Sequence, residues 1–455
     1  MQSPIKKAFE HSALPQLLLP EVLGGESLPA WFDVSLLASA SIGAAASALS
    51  RLHQSNTGQT VNTILNQRHA NLWFGMTLKT LNFQLPKLWD SIAGDYQTED
   101  GWIRLHTNAL HHKRAALSIL NCEDKRDSVA KVVNLYPAEA LETAIVEAGG
   151  CAAQMRSIDE WQTHPHGRFL QDEALVNWRY HDSSPRSYLN KSKTALPLSG
   201  VRVLDLTRIL AGSVASRFLA GFGADVLRLD PPEWDEPGVI PEVTLGKRCA
   251  SINLKSTLGK QRFIQLLMKA DVLLHGYRAD ALTSLGFSDN ELNNINPNLI
   301  QVSLNAYGWT GPWKNRRGFD SLMQMSCGIA HYGMLKSAAE KPVPLPVQAL
   351  DHATGYFLAT AIIQAIELRN TQNIIARAQC SLAATAHLLQ SSCRSTSSPD
   401  MPTAQDSDYC TEKEITSWGE AHRFKFPVSF DRFAASWPRG ASSLGSFNLE
   451  NLDWH

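Results

Sequence analysis

Apolar residues recur along this chain at two periods, and the switches between them mark its elements. Val201 to Leu206, Asp225 to Leu229, Ala250 to Leu254, Val272 to Leu274 and Leu299 to Leu304 are short runs rich in Val, Ile and Leu, which predict buried strands. Between them, Ser213 to Phe222 and the stretch carrying Leu258, Phe263, Leu266 and Leu267 have helical spacing. Ser256 predicts a cap for the second of these, and Ser288-Asp289-Asn290-Glu291 a capping box ahead of a short helix. Strands alternating with helices imply an open parallel sheet covered on both faces. The chain's most organised stretch follows. Pro344 to Leu350 predicts an extended, proline-stiffened approach, and His352 to Arg369 carries Tyr356, Phe357, Ala359, Ile362, Ile363 and Ile366 at helical spacing. Asp351 therefore stands at or near a helix N-terminus.

The pattern before Tyr180 is different. Leu28 to Leu52 predicts a small-residue helix and Thr63 to Phe74 another. Ser35 to Leu52 is the most membrane-like run, but serines at 35, 39, 41, 47 and 50 make it too short and polar to span; it suits a closely packed buried helix. Asp100 to Leu105 reads as a turn feeding a strand. Helices are predicted at His111 to Leu120, Asp127 to Val133 and Pro137 to Ala148, the last with proline in its first turn and Gly149-Gly150 as its stop. The division that follows is a smaller domain over 1–180, a polar linker over 181–197, a sheet domain over 198–390, a disordered Ser/Thr/Pro-rich loop over 391–408 and a closing segment over 409–455. Asp33, the helix after it and Gln59 to Phe74 echo Asp351, its helix and Ala376 to Leu389, with an offset of 318 between the aspartates. A tandem duplication that lost its outer parts would leave that echo.

Composition narrows the classes. A length of 455 residues allows two or three domains, and 44% hydrophobic residues is the share of a soluble globular protein. A formal net charge of -1 offers no reason to expect nucleic acid. The opening Met1 to Lys7 lacks an apolar signal core, so neither membrane attachment nor export is expected. The seven cysteines are scattered and show no CxxC, which reads as reduced thiols in a cytoplasmic protein; no metal-ligand spacing is present, so no metal is expected.

Two roles fit Asp351 on spacing alone. Aspartate is a preferred helix cap. A carboxylate at the positive end of a helix is also expected to stay ionised, below the usual value of about 3.9, and an ionised carboxylate can attack an acyl carbon. The two are compatible. The first strand–helix turn, Asp205 to Gly212, lacks GxGxxG and with it the nicotinamide or flavin fingerprint, yet its N-terminal amides can hold a phosphate. Arg208, Lys247, Arg248, Lys255, Arg278 and Arg317 fall at strand ends or in the loops after them, where an open parallel sheet binds ligands. His352 adjoins Asp351 but points elsewhere and reads as structural; His331 reads as a packed loop residue, and Asp320 as an exposed carboxylate close enough to assist.

From Leu198 to Arg369 the chain resembles the family III CoA-transferases. The resemblance rests on Leu198 to Thr207, Gly221 to Val226, Asn253-Leu254-Lys255, Ala270-Asp271-Val272, Leu285-Gly286-Phe287 and Ala349-Leu350-Asp351. It implies an α/β fold, with a Rossmann-like open parallel sheet domain and a smaller α+β domain. It implies that Asp351 is the acyl-accepting nucleophile of a transferase moving coenzyme A from an acyl-CoA to a small carboxylic acid. Positions matching Ile209, Ile252, Lys255, Tyr277 and Arg317 contact CoA in the family, and Arg208 and Arg278 suit its phosphates. Asp100 to Ile103 and Arg156 to Leu170 resemble the family's small domain, which in most members follows the aspartate; here the order is permuted. Phe424 to Pro427 and Ser443 to Gly445 resemble the closing segment, and a homodimer is implied. There are departures: Pro231-Pro232 where many relatives carry a basic residue, Gly276-Tyr277 for Asn-Phe, and Phe319 where the racemase branch has a second, histidine base. Racemase or transferase-lyase chemistry is therefore the alternative, and a non-catalytic acyl-CoA-binding protein the reading from another class.

Overall fold

The computed structural model describes residues 20–182, 196–278, 280–397, 400–449 and 454. Its first long element is α1 (Val34–Thr57), capped by the Asp33 carboxylate accepting from Leu36 N and closed by Gly58 in the left-handed region. The large sheet is built from β1 (Asn177–Asp182), β2 (Arg202–Leu206), β3 (Asp225–Asp230), β4 (Arg248–Ser251), β5 (Val272–His275), β6 (Ile300–Asn305) and β7 (Ile374–Ser381). Helix α2 (Ala211–Gly221) follows β2, α3 (Asp320–Ser326) and α4 (Ala349–Gln372) lie between β6 and β7, and α5 (Leu382–Gln390) follows β7. The strand order is β4-β3-β2-β5-β6-β7-β1. Strands β2 to β7 run parallel, and β1 closes the edge antiparallel to β7. The order reverses between β2 and β5, the switch point at which such sheets bind ligands.

Helix α4 is the centre of the core. Every residue from Ala349 to Ile366 is buried, so the helix must be covered on all sides. Strands β6 and β7 lie under it, α2 along one flank and α1 along another. Small residues permit these approaches: a Cβ on Gly355 would stand 2.4 Å from Ala211 O, so a larger residue there would push α2 away. Helix α1, of 24 residues, begins and ends later in the chain than the predicted Leu28 to Leu52, and its length and composition would suffice to cross a membrane. Its Ala, Ser and Gly residues are instead buried, most of them against α4.

The internal echo is real at the level of elements, but in a different register. Thr57 and Gln372 end helices of equal length, Gly58 and Asn373 close them in left-handed conformations, and Asn66 and Ser381 cap the next helices, each pair 315 residues apart. Asp33 therefore corresponds to the cap position Gln348 and not to Asp351. Other boundaries shift as well. Thr63 to Phe74 is a strand, Thr63–Asn66, turning into the helix Gln67–Leu72. His181 and Asp182, expected in the linker, finish β1, and 183–195 fall outside the described residues. Within the stretch expected to be disordered, Arg394 N bonds Trp31 O at 2.8 Å and the buried Asp408 carboxylate takes two bonds from Arg68.

The smaller domain is a three-stranded antiparallel sheet, Gly94–Gln97, Trp102–Leu105 and Ala152–Gln154, under the helices Leu110–Leu120, Arg126–Val133 and Ala138–Glu147. It docks on the large domain through buried Glu142, which pairs with Arg156 at 2.6 Å and with Arg316, from the loop before α3, at 2.8 Å. The closing segment touches the sheet domain: Ser436 N bonds Gly221 O, Trp437 Nε1 bonds Arg217 O and Phe447 N bonds Cys249 O.

One carboxylate ties three parts of the chain together. Glu242, buried after β3, accepts from Thr77 N and Oγ1, from Arg217 on α2 and from Arg423 near the C-terminus. Burial alone would raise its pKa, but Arg217 and Arg423 hold it below the usual value. Glu242→Ala leaves two guanidinium groups buried beside a missing charge, and is expected to cost about 3–5 kcal/mol in denaturant unfolding. A loss under about 1 kcal/mol would show that the cluster does not hold the parts together.

Candidate active site

Three helices begin around one carboxylate. Asp351 is the third residue of α4; Gln348 holds the cap position, so Asp351 does not cap its own helix. Its carboxylate accepts the backbone N–H of Ala211, the first residue of α2. Its own N–H donates to Asp320 Oδ2 at 3.0 Å, and Asp320 is the first residue of α3. Gln324 Nε2 binds the other Asp320 oxygen while Gln324 Oε1 accepts from Leu345 N at 2.7 Å, which anchors the approach to α4. Asp320 is thus wholly buried, not exposed as expected.

The electrostatics reverse another expectation. Asp351 is only 4% exposed. Burial first, and the Asp320 charge second, push it well above the usual carboxylate value, against the single opposing bond from Ala211. Burial likewise pushes Asp320 up to about 6, although N–H groups of Asp351, Leu350 and Gln324 oppose it. Helix-start placement does not win because desolvation and a like charge a few ångströms away outweigh a partial positive end. Asp351 forms no ion pair among the described residues, so once ionised it has few interactions to give up on attacking an electrophile.

His352 is structural, as expected: it is buried, stacks on Phe74 at 5.3 Å, and burial lowers it to about 3. His331 lies in the helix Ile329–Lys336 and not in a loop.

The predicted CoA residues all lie at the C-terminal edge of the parallel strands, but they divide in two. Arg208 follows β2 with its guanidinium 4.7 Å from the Trp234 ring and 5.6 Å from the Tyr277 ring. Arg317 is lowered by burial and then by the charges of Arg278 and Arg208, so it lies within electrostatic range of both, and Arg208 is the one that stands over Tyr277 at the switch point. Such proximity of like charge suits an anionic ligand. Across β2 and β3, at the end of β4, exposed Lys255 and buried Ile252 form the second group, and Ile252 belongs to the apolar cluster against which Tyr277 packs. Ile209 packs into the main core beneath the first turn. Lys247 and Arg248 leave the set: Lys247 is buried on Asp205 at 3.1 Å and Arg248 pairs with Asp225 at 2.7 Å.

Sequence reasoning missed what the smaller domain adds. His106 and His112 are buried against Phe319, and Glu236 is buried beside Asn108. The adjacent pair His111-His112 after a strand is the signal that was there to be read.

Part of the chain is similar in sequence to known proteins. Residues 198–410 match the family described as CoA-transferase family III. The "Probable fatty acyl-CoA transferase" of Mycobacterium tuberculosis is 33% identical over 40% of this chain and 50% of its own. The "Succinyl-CoA:glutarate CoA-transferase" of Mus musculus is 32% identical over 37% of this chain and 41% of its own. A crystal structure of the mycobacterial protein aligns over 43% of this chain and 56% of its own at a TM-score of 0.39. The chain spans about half the length of the curated relatives it matches.

The raised carboxylates predict a pH signature. Between about pH 4 and the raised values, the folded protein keeps protons that the unfolded chain has released, so ionisation of this pair opposes folding as pH rises. Asp351→Asn removes one ionisation. It is expected to unfold at a higher temperature than wild type at about pH 7.5, with the difference closing as pH falls towards about 4. A variant no more stable than wild type at the higher pH would show that Asp351 is not an unpaired buried carboxylate.

Proposed function

We propose that this chain, whose residues 198–410 match CoA-transferase family III, moves coenzyme A from an acyl-CoA donor to a small carboxylic acid through intermediates on Asp351. The observation that carries the reading is the buried, unpaired Asp351 carboxylate in a sheet domain where Arg317 lies within electrostatic range of Arg208 and Arg278. Ionised Asp351 attacks the thioester carbonyl, giving a mixed anhydride and CoA thiolate. The thiolate attacks the aspartyl carbonyl, releasing the donor acid and leaving an aspartyl-CoA thioester. The acceptor carboxylate attacks that thioester, and the returning thiolate attacks the acceptor's carbonyl, restoring Asp351. Each difficult exchange is divided into easier ones. Arg208, Arg278, Lys255 and Arg317 supply charge for the CoA phosphates, with Ile209, Ile252 and Tyr277 as apolar contacts. Relatives named for succinyl-CoA and glutarate support a dicarboxylic acid as acceptor. Phe319 cannot exchange a proton, which disfavours the racemase reading. Free cysteines, four of them buried, suit the reducing cytoplasm.

Incubation with an acyl-CoA alone is expected to leave coenzyme A, less water, on the peptide containing Asp351, read by mass spectrometry. Asp351→Ala should form no adduct and keep under about 1% of exchange activity. Lys255→Ala and Arg317→Ala should raise the KM for acyl-CoA about tenfold while lowering kcat less. A chain that binds acyl-CoA but forms no adduct is the non-catalytic protein instead.

A homodimer belongs to the same proposal. The 13 residues 183–195, which reach up to roughly 45 Å when extended, would permit β1 and the smaller domain before it to be exchanged between chains. Within one chain the smaller domain already stands beside α3, through Arg156 N bonding Met325 O. Light scattering should give twice the chain mass at concentrations where exchange is full; a single-chain mass would rule the dimer out.

A further inference from the structure

Buried imidazoles normally find hydrogen-bond partners. Two in the smaller domain do not. His106, 4% exposed, follows the strand Trp102–Leu105, and His112, 3% exposed, lies in the first turns of the helix Leu110–Leu120. Neither ring nitrogen of either residue has a partner among the described residues. Both rings press on one side chain from the other domain: His106 stacks on Phe319 with centroids 3.6 Å apart, and His112 meets it edge-on at 5.8 Å. Phe319 immediately precedes Asp320, the residue that accepts the N–H of Asp351. Trp89 adds an aromatic edge at 5.9 Å from His106.

We infer that His106 and His112 bind the carboxylate of the acid substrate at the domain seam, where Phe319 leads into the Asp320 that holds the Asp351 backbone. The inference rests on the proposed transfer reaction. The reaction needs the acid's carboxylate and the Asp351 carboxyl within bonding reach, yet two anions brought together repel. Two imidazoles supply one N–H each, and a carboxylate has an oxygen for each. Neutral rings serve here, because burial, and then His112 and Arg104, hold His106 far below its usual pKa, and burial lowers His112 to about 3. Guanidinium groups would grip an acid more tightly, but they gather instead at the Arg208–Arg278–Arg317 cluster. The seam so divides the labour: charged donors for phosphates, uncharged ones for an acid that must arrive and leave in each cycle. Phe319 and Trp89 form an apolar wall suited to the carbon chain.

Ring resonances of histidine in labelled wild-type protein test this without any variant. Glutarate is expected to shift those of His106 and His112 saturably, and its uncharged diamide is expected not to. His106→Gln and His112→Gln assign the signals. Each should raise the KM for glutarate about tenfold while changing the Kd for free coenzyme A less than about twofold. Ring signals that ignore glutarate, or variants with unchanged acid KM, would overturn the inference and leave these rings bonded to water. The two readings fail separately. An Asp351 adduct with unresponsive histidines sinks the subsite alone; glutarate-responsive histidines without any adduct sink the transfer reading alone.

Discussion

Helix α4 is buried along its whole first half and more, and nothing else in the structure can be arranged until that burial is satisfied. A sheet covers one side of a helix and a neighbouring helix another; the rest needs a further element, here α1 from the start of the chain. The small residues of α1 are what let two helices of equal length lie close together. The N-terminal region is therefore part of the sheet domain's core as well as the carrier of the smaller domain. The end of α4 that this packing fixes is the end that bears Asp351.

The same burial sets the chemistry. Dispersion and hydrophobic contact favour a dry interior around α4, and a dry interior disfavours the ionised form of any carboxylate held there. Asp320 sharpens the conflict by placing a second acid against the backbone of the first. A protein selected only for stability would not keep this pair, and retained strain of this kind is what active sites show. Glu142 and Glu242, by contrast, each meet two arginines from separate parts of the sequence. The arginine-paired carboxylates are joints that hold the molecule, and Asp351 is not among them.

Much of this was legible before any coordinates. Runs of Val, Ile and Leu broken by helical spacing were enough for a parallel sheet, since only a strand buried on both faces reads that way. Local capping signals were also reliable: Ser256 and Ser288 cap as read, because a cap involves residues three apart. Strand β1 was missed although Trp178 and Tyr180 alternate with polar residues along Asn177–Asp182, because a short edge strand running into a polar stretch reads as the start of a linker. Nor was the break at Asn66, where one apolar stretch serves first as strand and then as helix.

The sequence by itself determined the layered α/β class, the helix that begins near Asp351 and the basic residues at the strand ends, because each depends on neighbours close along the chain. Only the tertiary structure decided the rest. It raised the pKa of Asp351, because desolvation and the charge of Asp320 come from residues distant in sequence. It withdrew Lys247 and Arg248 into ion pairs. It also carried His106 and His112 onto Phe319, more than 200 residues away. Spacing along a chain encodes periodicity and caps; burial, long-range charge and contact between domains exist only once the chain has folded.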